Sequence, residues 1–76
     1  MSETVPLSIS HDEALVLFEW LKRFNARQDT VFEDQAEQRV LWDLEATLES
    51  VLAEPLHRDY TALLNAARSR VRDETE

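Results

Sequence analysis

The sequence contains no glycine, and this absence restricts the fold more than any other feature of the chain. Glycine is the residue that most readily adopts positive φ, which tight β-hairpin turns and phosphate-binding loops require. The remaining composition is rich in leucine, alanine, glutamate and arginine, which are good helix formers. The sequence therefore predicts an all-α fold.

The 76 residues suffice for one small domain. Domains of this size bury only ~60% of the surface that the unfolded chain exposes, and many depend on disulfides, metals or self-association for stability. The chain has no cysteine, which excludes disulfides and fits a reducing compartment. Its longest apolar run, residues 14–18, is far shorter than the ~20 residues that cross a bilayer, and no signal-peptide core is visible. We therefore expect a soluble, cytoplasmic protein that does not contact membranes.

The net charge of −8 is unevenly distributed along the chain. Residues 29–54 contain eight acids and one arginine, whereas residues 55–72 contain four arginines and one aspartate. An acidic protein is repelled by phosphate backbones, so this balance argues against nucleic-acid binding. It predicts one acidic side and one mildly basic end.

Apolar spacing predicts three helices, at about residues 10–27, 33–54 and 55–72. Ser10 and Glu13 form a capping box at the start of the first helix, and Pro55 is tolerated in the first turn of the third. The second helix has an apolar set at the three- and four-residue spacing of an inward helical face: Val40, Leu41, Leu44, Leu48, Val51 and Leu52.

The segments outside residues 10–72 are short. In residues 1–9, Val5, Leu7 and Ile9 alternate with other residues, which predicts an extended N-terminal arm. Residues 73–76 are charged and are expected to form a frayed tail. The predicted architecture is a small antiparallel three-helix bundle with this extended arm, and we expect it to be dimeric.

The first helix has more apolar surface than one neighbour can cover. Placed at 100° intervals, its apolar residues span about 260°, compared with about 100° for the third helix. Trp42 lies on the side of the second helix opposite its apolar stripe. We therefore predict a two-fold homodimer whose candidate interface consists of Leu15, Val16, Trp20 and Trp42. The alternatives are that neighbouring helices and the arm cover the first helix, and that the Trp42 ring lies over aliphatic side-chain stems.

We find no catalytic residues, cofactor site or metal ligands in the sequence. The string at residues 57–60, His-Arg-Asp-Tyr, resembles the start of a kinase catalytic loop, but the chain lacks the glycine-rich loop and the DFG motif. His11, Asp12 and Glu13 are consecutive and point in different directions on a helix, unlike a metal-binding i, i+4 pair. Other acids, at positions 33, 34 and 37, are interpreted as helix caps and solvated side chains, and the alternative is that they bind a divalent ion weakly.

Arg68 and Arg72 share one face of the third helix and form a candidate carboxylate clamp. Arginines near a helix C-terminus also complement its dipole, which is the alternative interpretation.

These observations predict a small acidic, non-enzymatic helical protein that acts through protein–protein contact. We expect a homodimer with a possible second protein partner, and no nucleic-acid or membrane partner. An antitoxin-like or immunity-type neutraliser of a basic partner is one alternative, because opposite charges select and orient protein partners. A weak metal-binding module is the other.

Overall fold

The computed structural model describes residues 3–74, with the side chain of Glu74 excepted. It contains three α-helices, α1 (His11–Asn25), α2 (Gln35–Val51) and α3 (Tyr60–Glu74), and a short 3-10 helix (Glu54–Leu56) before α3. No strand is found between residues 3 and 74. The helix contacts are those of a small all-α bundle, which confirms the predicted fold class. No residue in this range has positive φ, so its turns do not need glycine.

The capping box at the start of α1 forms as predicted. The Ser10 side chain accepts a hydrogen bond from the Glu13 backbone N–H at 3.0 Å, and the Glu13 carboxylate accepts one from the Ser10 N–H at 2.8 Å. Both N–H groups would otherwise lack a partner at the helix start. The box therefore fixes the point at which the N-terminal arm ends.

The junction between α2 and α3 differs from the predicted boundaries of 33–54 and 55–72. α2 begins after Asp34, whose side chain accepts from the Ala36 N–H at 2.7 Å, and it ends at Val51 because Leu52 is extended. The 3-10 helix follows, and the extended residue His57 accepts from the Asp59 N–H through its ring Nδ1 at 3.0 Å. Because of this local turn, α3 begins at Tyr60, five residues later than the predicted start at residue 55. His57 therefore lies before α3 and not in its first turn.

The predicted arm and tail are described only in part. Residues 3–9 are exposed and have no helix or strand, so the extended arm stays a prediction. Residues 73 and 74, predicted as tail, belong to α3. Residues 1–2 and 75–76 lie outside the described part of the chain. Within that part, no helix is long and apolar enough to cross a membrane.

α1 is the central helix of the bundle. It contacts α2 and α3 about equally, whereas α2 and α3 have at most marginal contact with each other. Half of the buried core residues belong to α1, and the others come from α2, the residue after it and α3. The core consists of Ala14, Leu15, Phe18, Leu21, Leu48, Leu52, Leu64 and Ala67. Most of the wide apolar arc of α1 is therefore covered within one chain.

Polar contacts fix α1 against both neighbours. The Tyr60 hydroxyl donates to Oε1 of Glu19 at 2.7 Å, which ties the start of α3 to the middle of α1. The Asn25 side chain donates to the backbone carbonyl of Leu41 at 3.3 Å and to Oε1 of Glu45 at 2.8 Å, which ties the end of α1 to α2. These bonds set the register of the two antiparallel pairs.

Candidate interaction surface

α2 carries a row of apolar side chains that the described chain leaves exposed: Val40, Leu44 and Val51, hereafter the α2 stripe. Val40 is 62% exposed and Val51 is 68% exposed. Residues four and seven apart lie within about 40° of each other on a helix, so the three side chains lie on one side of α2, with the exposed Thr47 between Leu44 and Val51. Their spacing predicted an inward face, and this prediction is wrong, because among the described helices only α1 packs closely on α2.

The residues of α2 that do reach the core lie on the adjacent face. Leu48 is buried, Leu41 is partly buried against the core, and Leu52 is buried just beyond the helix. One neighbouring helix covers a single narrow face, so the α2 stripe beside this face stays in contact with solvent.

Acidic residues border the α2 stripe on both sides. Glu37 and Asp43 lie about 60° to either side of Val40 on the helical wheel. The Glu37 carboxylate accepts from the Glu33 backbone N–H at 2.9 Å. None of the ion pairs among residues 3–74 includes an acid of α2. The stripe is therefore an apolar surface with negatively charged edges.

The candidate interface residues divide into two groups. Leu15 is 2% exposed and belongs to the core, and Val16 is partly buried against the core. This corrects the assignment of Leu15 to an interface, because α2 and α3 cover this side of α1. Trp20 and Trp42 are 45% and 48% exposed, on α1 and α2 respectively, and their role at an interface stays a prediction.

Trp20 belongs to an aromatic cluster at the C-terminal end of α1, which the sequence analysis did not identify. Its ring stacks on Phe24 with centroids 4.8 Å apart, and Phe24 meets Phe32 edge-on at 6.3 Å. Trp20, Phe24 and two arginines line a groove of about 90 Å³. Pockets for drug-sized ligands have volumes of about 300–1,000 Å³, so this groove is too small for such a ligand. The i, i+4 spacing of Trp20 and Phe24 was the available sequence signal.

The two arginines proposed as a clamp each contact a side chain three residues earlier on α3. Arg68 donates to Asn65 at 3.2 Å and Arg72 donates to Ser69 at 3.1 Å. The clamp at these two residues stays a prediction.

A bidentate contact with a carboxylate is made instead by Arg70. Its Nε and Nη2 atoms donate to the two carboxylate oxygens of Asp12 at 2.7 and 2.8 Å. This contact lowers the pKa of Asp12, first through the hydrogen bonds and then through the positive charge of the guanidinium. It joins the start of α1 to the last turns of α3. Sequence spacing gave no signal for this pair, because its members are 58 residues apart.

His11 and Glu54 form the closest polar contact between α1 and the α2–α3 junction. His11 Nε2 lies 2.6 Å from Oε2 of Glu54, and this hydrogen bond lowers the pKa of the Glu54 carboxyl. Among residues 3–74, no three histidine, aspartate or glutamate side chains are grouped closely enough to hold a metal ion. The pair holds the start of α1 beside the end of α2.

Comparison with known proteins finds no matching family model, curated protein or solved structure. Function is therefore inferred from the surface of this chain alone.

Proposed function

We propose that the protein is a small non-enzymatic interaction module that acts by contact with another protein chain, and that a second copy is its first partner. The observation that supports this proposal is the exposure of three large apolar side chains in one row on α2. Contiguous exposed apolar surface is typical of protein–protein contact sites, particularly where polar residues surround it. The cytoplasmic location expected from the sequence is part of the same proposal.

The exposure of Trp42, which lies on a different side of α2 from the stripe, is a second observation that supports the proposal. Tryptophan is enriched in the buried centres of protein interfaces, where its large ring contributes much of the binding free energy. Its ring is about half exposed in the single chain. Covering both Trp42 and the α2 stripe would remove most of the exposed apolar surface of this helix from water.

A second candidate is a neutraliser of a basic protein. This candidate is favoured by the acids of α2, which have no ion-pair partner among the described residues. Opposite charges accelerate association and select partners, and salt weakens the effect. Binding to a basic protein that disappears at high salt, by a chain that stays monomeric on its own, would favour this candidate over self-association.

Sedimentation equilibrium of the full chain at micromolar concentrations tests the leading proposal. We expect the mass of a dimer for the wild type and for Val31→Asp, because Val31 is exposed in the connection before α2 and lies outside the α2 stripe. The matched variant Val40→Asp places the same charge in the stripe and should be monomeric. Circular dichroism checks that both variants remain helical. A wild type that is monomeric throughout this range would refute self-association.

A further inference from the structure

The N-terminal arm is a second uncovered apolar feature of the chain. Val5 and Leu7 are 76% and 86% exposed, and Ile9 is half exposed. In an extended segment, alternate side chains point to the same side, so these three side chains can form one apolar edge. The chain thus presents an apolar arm and an apolar stripe, and each lacks a partner.

The point at which the arm joins α1 lies close to the Val51 end of the α2 stripe of the same chain. It ends at Ser10, next to His11, whose ring contacts Glu54, three residues after Val51. An extended segment rises about 3.3 Å per residue, so residues 3–9 span about 23 Å. The stripe from Val40 to Val51 spans about 16 Å at 1.5 Å per residue. The arm is therefore long enough to cover the whole stripe.

The negative charges beside the α2 stripe make the arm of a second copy a more favourable partner for the stripe than the α2 helix of that copy. Direct packing of two α2 helices through this stripe would bring its acidic edges, which carry Glu37 and Asp43, close to the acidic edges of the other chain, and like charges across an interface are unfavourable. Residues 3–9 contain only one charged residue, Glu3. The arm can therefore approach the acidic edges of the stripe with little repulsion.

Buried area also favours a contact that includes the arm. Complete burial of a fully exposed large aliphatic side chain is favourable by about 1.5–3 kcal/mol. At about 25 cal/mol per Å², this free energy corresponds to roughly 60–120 Å² of apolar surface. Scaled by their exposed fractions, the side chains of the stripe provide about 100–200 Å², whereas the stripe and the arm together provide about 230–450 Å² per chain. A standard stable interface buries about 800 Å² per partner, of which about 57%, or about 450 Å², is apolar, and only the larger surface approaches this apolar area.

We propose that two copies of the chain exchange arms, so that the apolar edge of each arm lies along the α2 stripe of the other copy. This inference rests on the proposed self-association and specifies how it is built. A reciprocal exchange is closed and two-fold symmetric, and each copy gives and receives the same contact. The occupant of the α2 stripe is thus the Val5–Leu7–Ile9 edge of a second copy.

Matched aspartate variants of the full chain test the role of the arm. Leu7 is 86% exposed and Leu56 is 93% exposed, so neither replacement removes a core contact within one chain. Leu7→Asp should raise the dimer Kd at least about a hundredfold, because both copies of the contact lose a buried leucine. Leu56→Asp adds the same charge outside the contact and should leave the Kd unchanged. A dimer that is equally stable in both variants would overturn the arm exchange but would leave self-association intact.

Disulfide trapping tests which chain the arm covers. The chain has no cysteine, so introduced thiols are the only ones present. A Leu7→Cys chain mixed with a Leu44→Cys chain should form a mixed disulfide dimer on mild oxidation, and a Leu7→Cys chain mixed with a Leu56→Cys chain should form much less. Equal yields in the two mixtures would overturn the proposal. A chain that carries both Leu7→Cys and Leu44→Cys should also cross-link between copies, whereas oxidation mainly within single chains would show that the arm covers its own α2.

A wild-type chain that is monomeric at every concentration would overturn the arm exchange together with the proposed self-association. A dimer that tolerates Leu7→Asp would overturn the exchange alone. The two failures are therefore distinguishable.

Discussion

Replacement of Leu15 by alanine tests whether the central helix is covered within a single chain. Leu15 is 2% exposed, so the change removes three buried carbon atoms. At about 0.8 kcal/mol per buried methylene, the lost transfer free energy is about 2.4 kcal/mol. The cavity that remains adds to this loss, and buried leucine-to-alanine changes cost about 2–5 kcal/mol in total. We therefore expect the free energy of unfolding to fall by an amount in this range.

This loss is large for a domain of 76 residues. At about 0.05–0.15 kcal/mol per residue, the whole chain is stable by about 4–11 kcal/mol. A loss of 1 kcal/mol lowers the Tm of a 60–100-residue domain by about 4–8 °C, so Leu15→Ala should lower it by about 10 °C or more. If the wild-type stability lies at the low end of its range and the loss at the high end, the Leu15→Ala chain will be largely unfolded at room temperature.

Urea denaturation followed by far-UV circular dichroism measures the change in unfolding free energy. The matched control is Leu56→Ala, which removes the same atoms from a side chain that is 93% exposed and should change stability by less than about 0.5 kcal/mol. Both variants are measured at several protein concentrations, because self-association contributes to apparent stability. If Leu15→Ala weakened only the association of copies and left the monomer as stable as the control, the assignment of Leu15 to the core would be refuted.

Three further perturbations address polar contacts. Ser10→Ala removes the α1 cap and should cost about 0.5–2 kcal/mol in urea denaturation, while Ser10→Thr retains most of the stability. The pKa of Glu54 is lowered from its ordinary 4.5 by the hydrogen bond to His11, so this contact stabilises the fold above about pH 4.5 and is lost as the pH falls through the lower folded value. Urea midpoints from neutral pH to about pH 2 should therefore fall less in Glu54→Gln than in the wild type; equal slopes would contradict the assignment. Burial and the hydrogen bond to Glu19 raise the pKa of Tyr60 above its ordinary 10.0. Wild-type stability should therefore decline above pH 10, because this tyrosine ionises in the unfolded chain while it stays protonated in the folded one. Tyr60→Phe should lack this contribution to the decline and should lose about 1.5–3 kcal/mol near neutral pH.

Local features of the fold could be predicted from the sequence where a few adjacent residues determine them. The capping box at Ser10 and Glu13 depends only on residues three apart, and it fixed the start of α1 correctly. The α2–α3 junction was less predictable. Pro55 indicated a break between helices, but the extended His57 and its ring hydrogen bond to the Asp59 N–H produce a longer connection that apolar spacing does not reveal.

The position of the exposed surface depends on how many neighbours each helix has, and this is a tertiary property. A 260° apolar arc fits either a central helix or a helix that binds a second chain, and the sequence analysis favoured the second explanation. The structure places α1 in the centre, which buries Leu15 and leaves the α2 stripe exposed. Trp20 was selected as part of the wide apolar arc of α1, and Trp42 because it lies opposite the apolar stripe of its own helix; both are about half exposed, and their interface role stays a prediction.

The central position of α1 has a consequence for synthesis of the chain. Translation releases α1 and α2 first, and these two helices can pair as soon as they leave the ribosome. The other side of α1 must wait for Leu64 and Ala67 of α3, and the bond between Asp12 and Arg70 spans 58 positions. A nascent chain therefore carries its most apolar helix half uncovered until α3 emerges, and this is the stage at which chaperone binding would protect it most from aggregation.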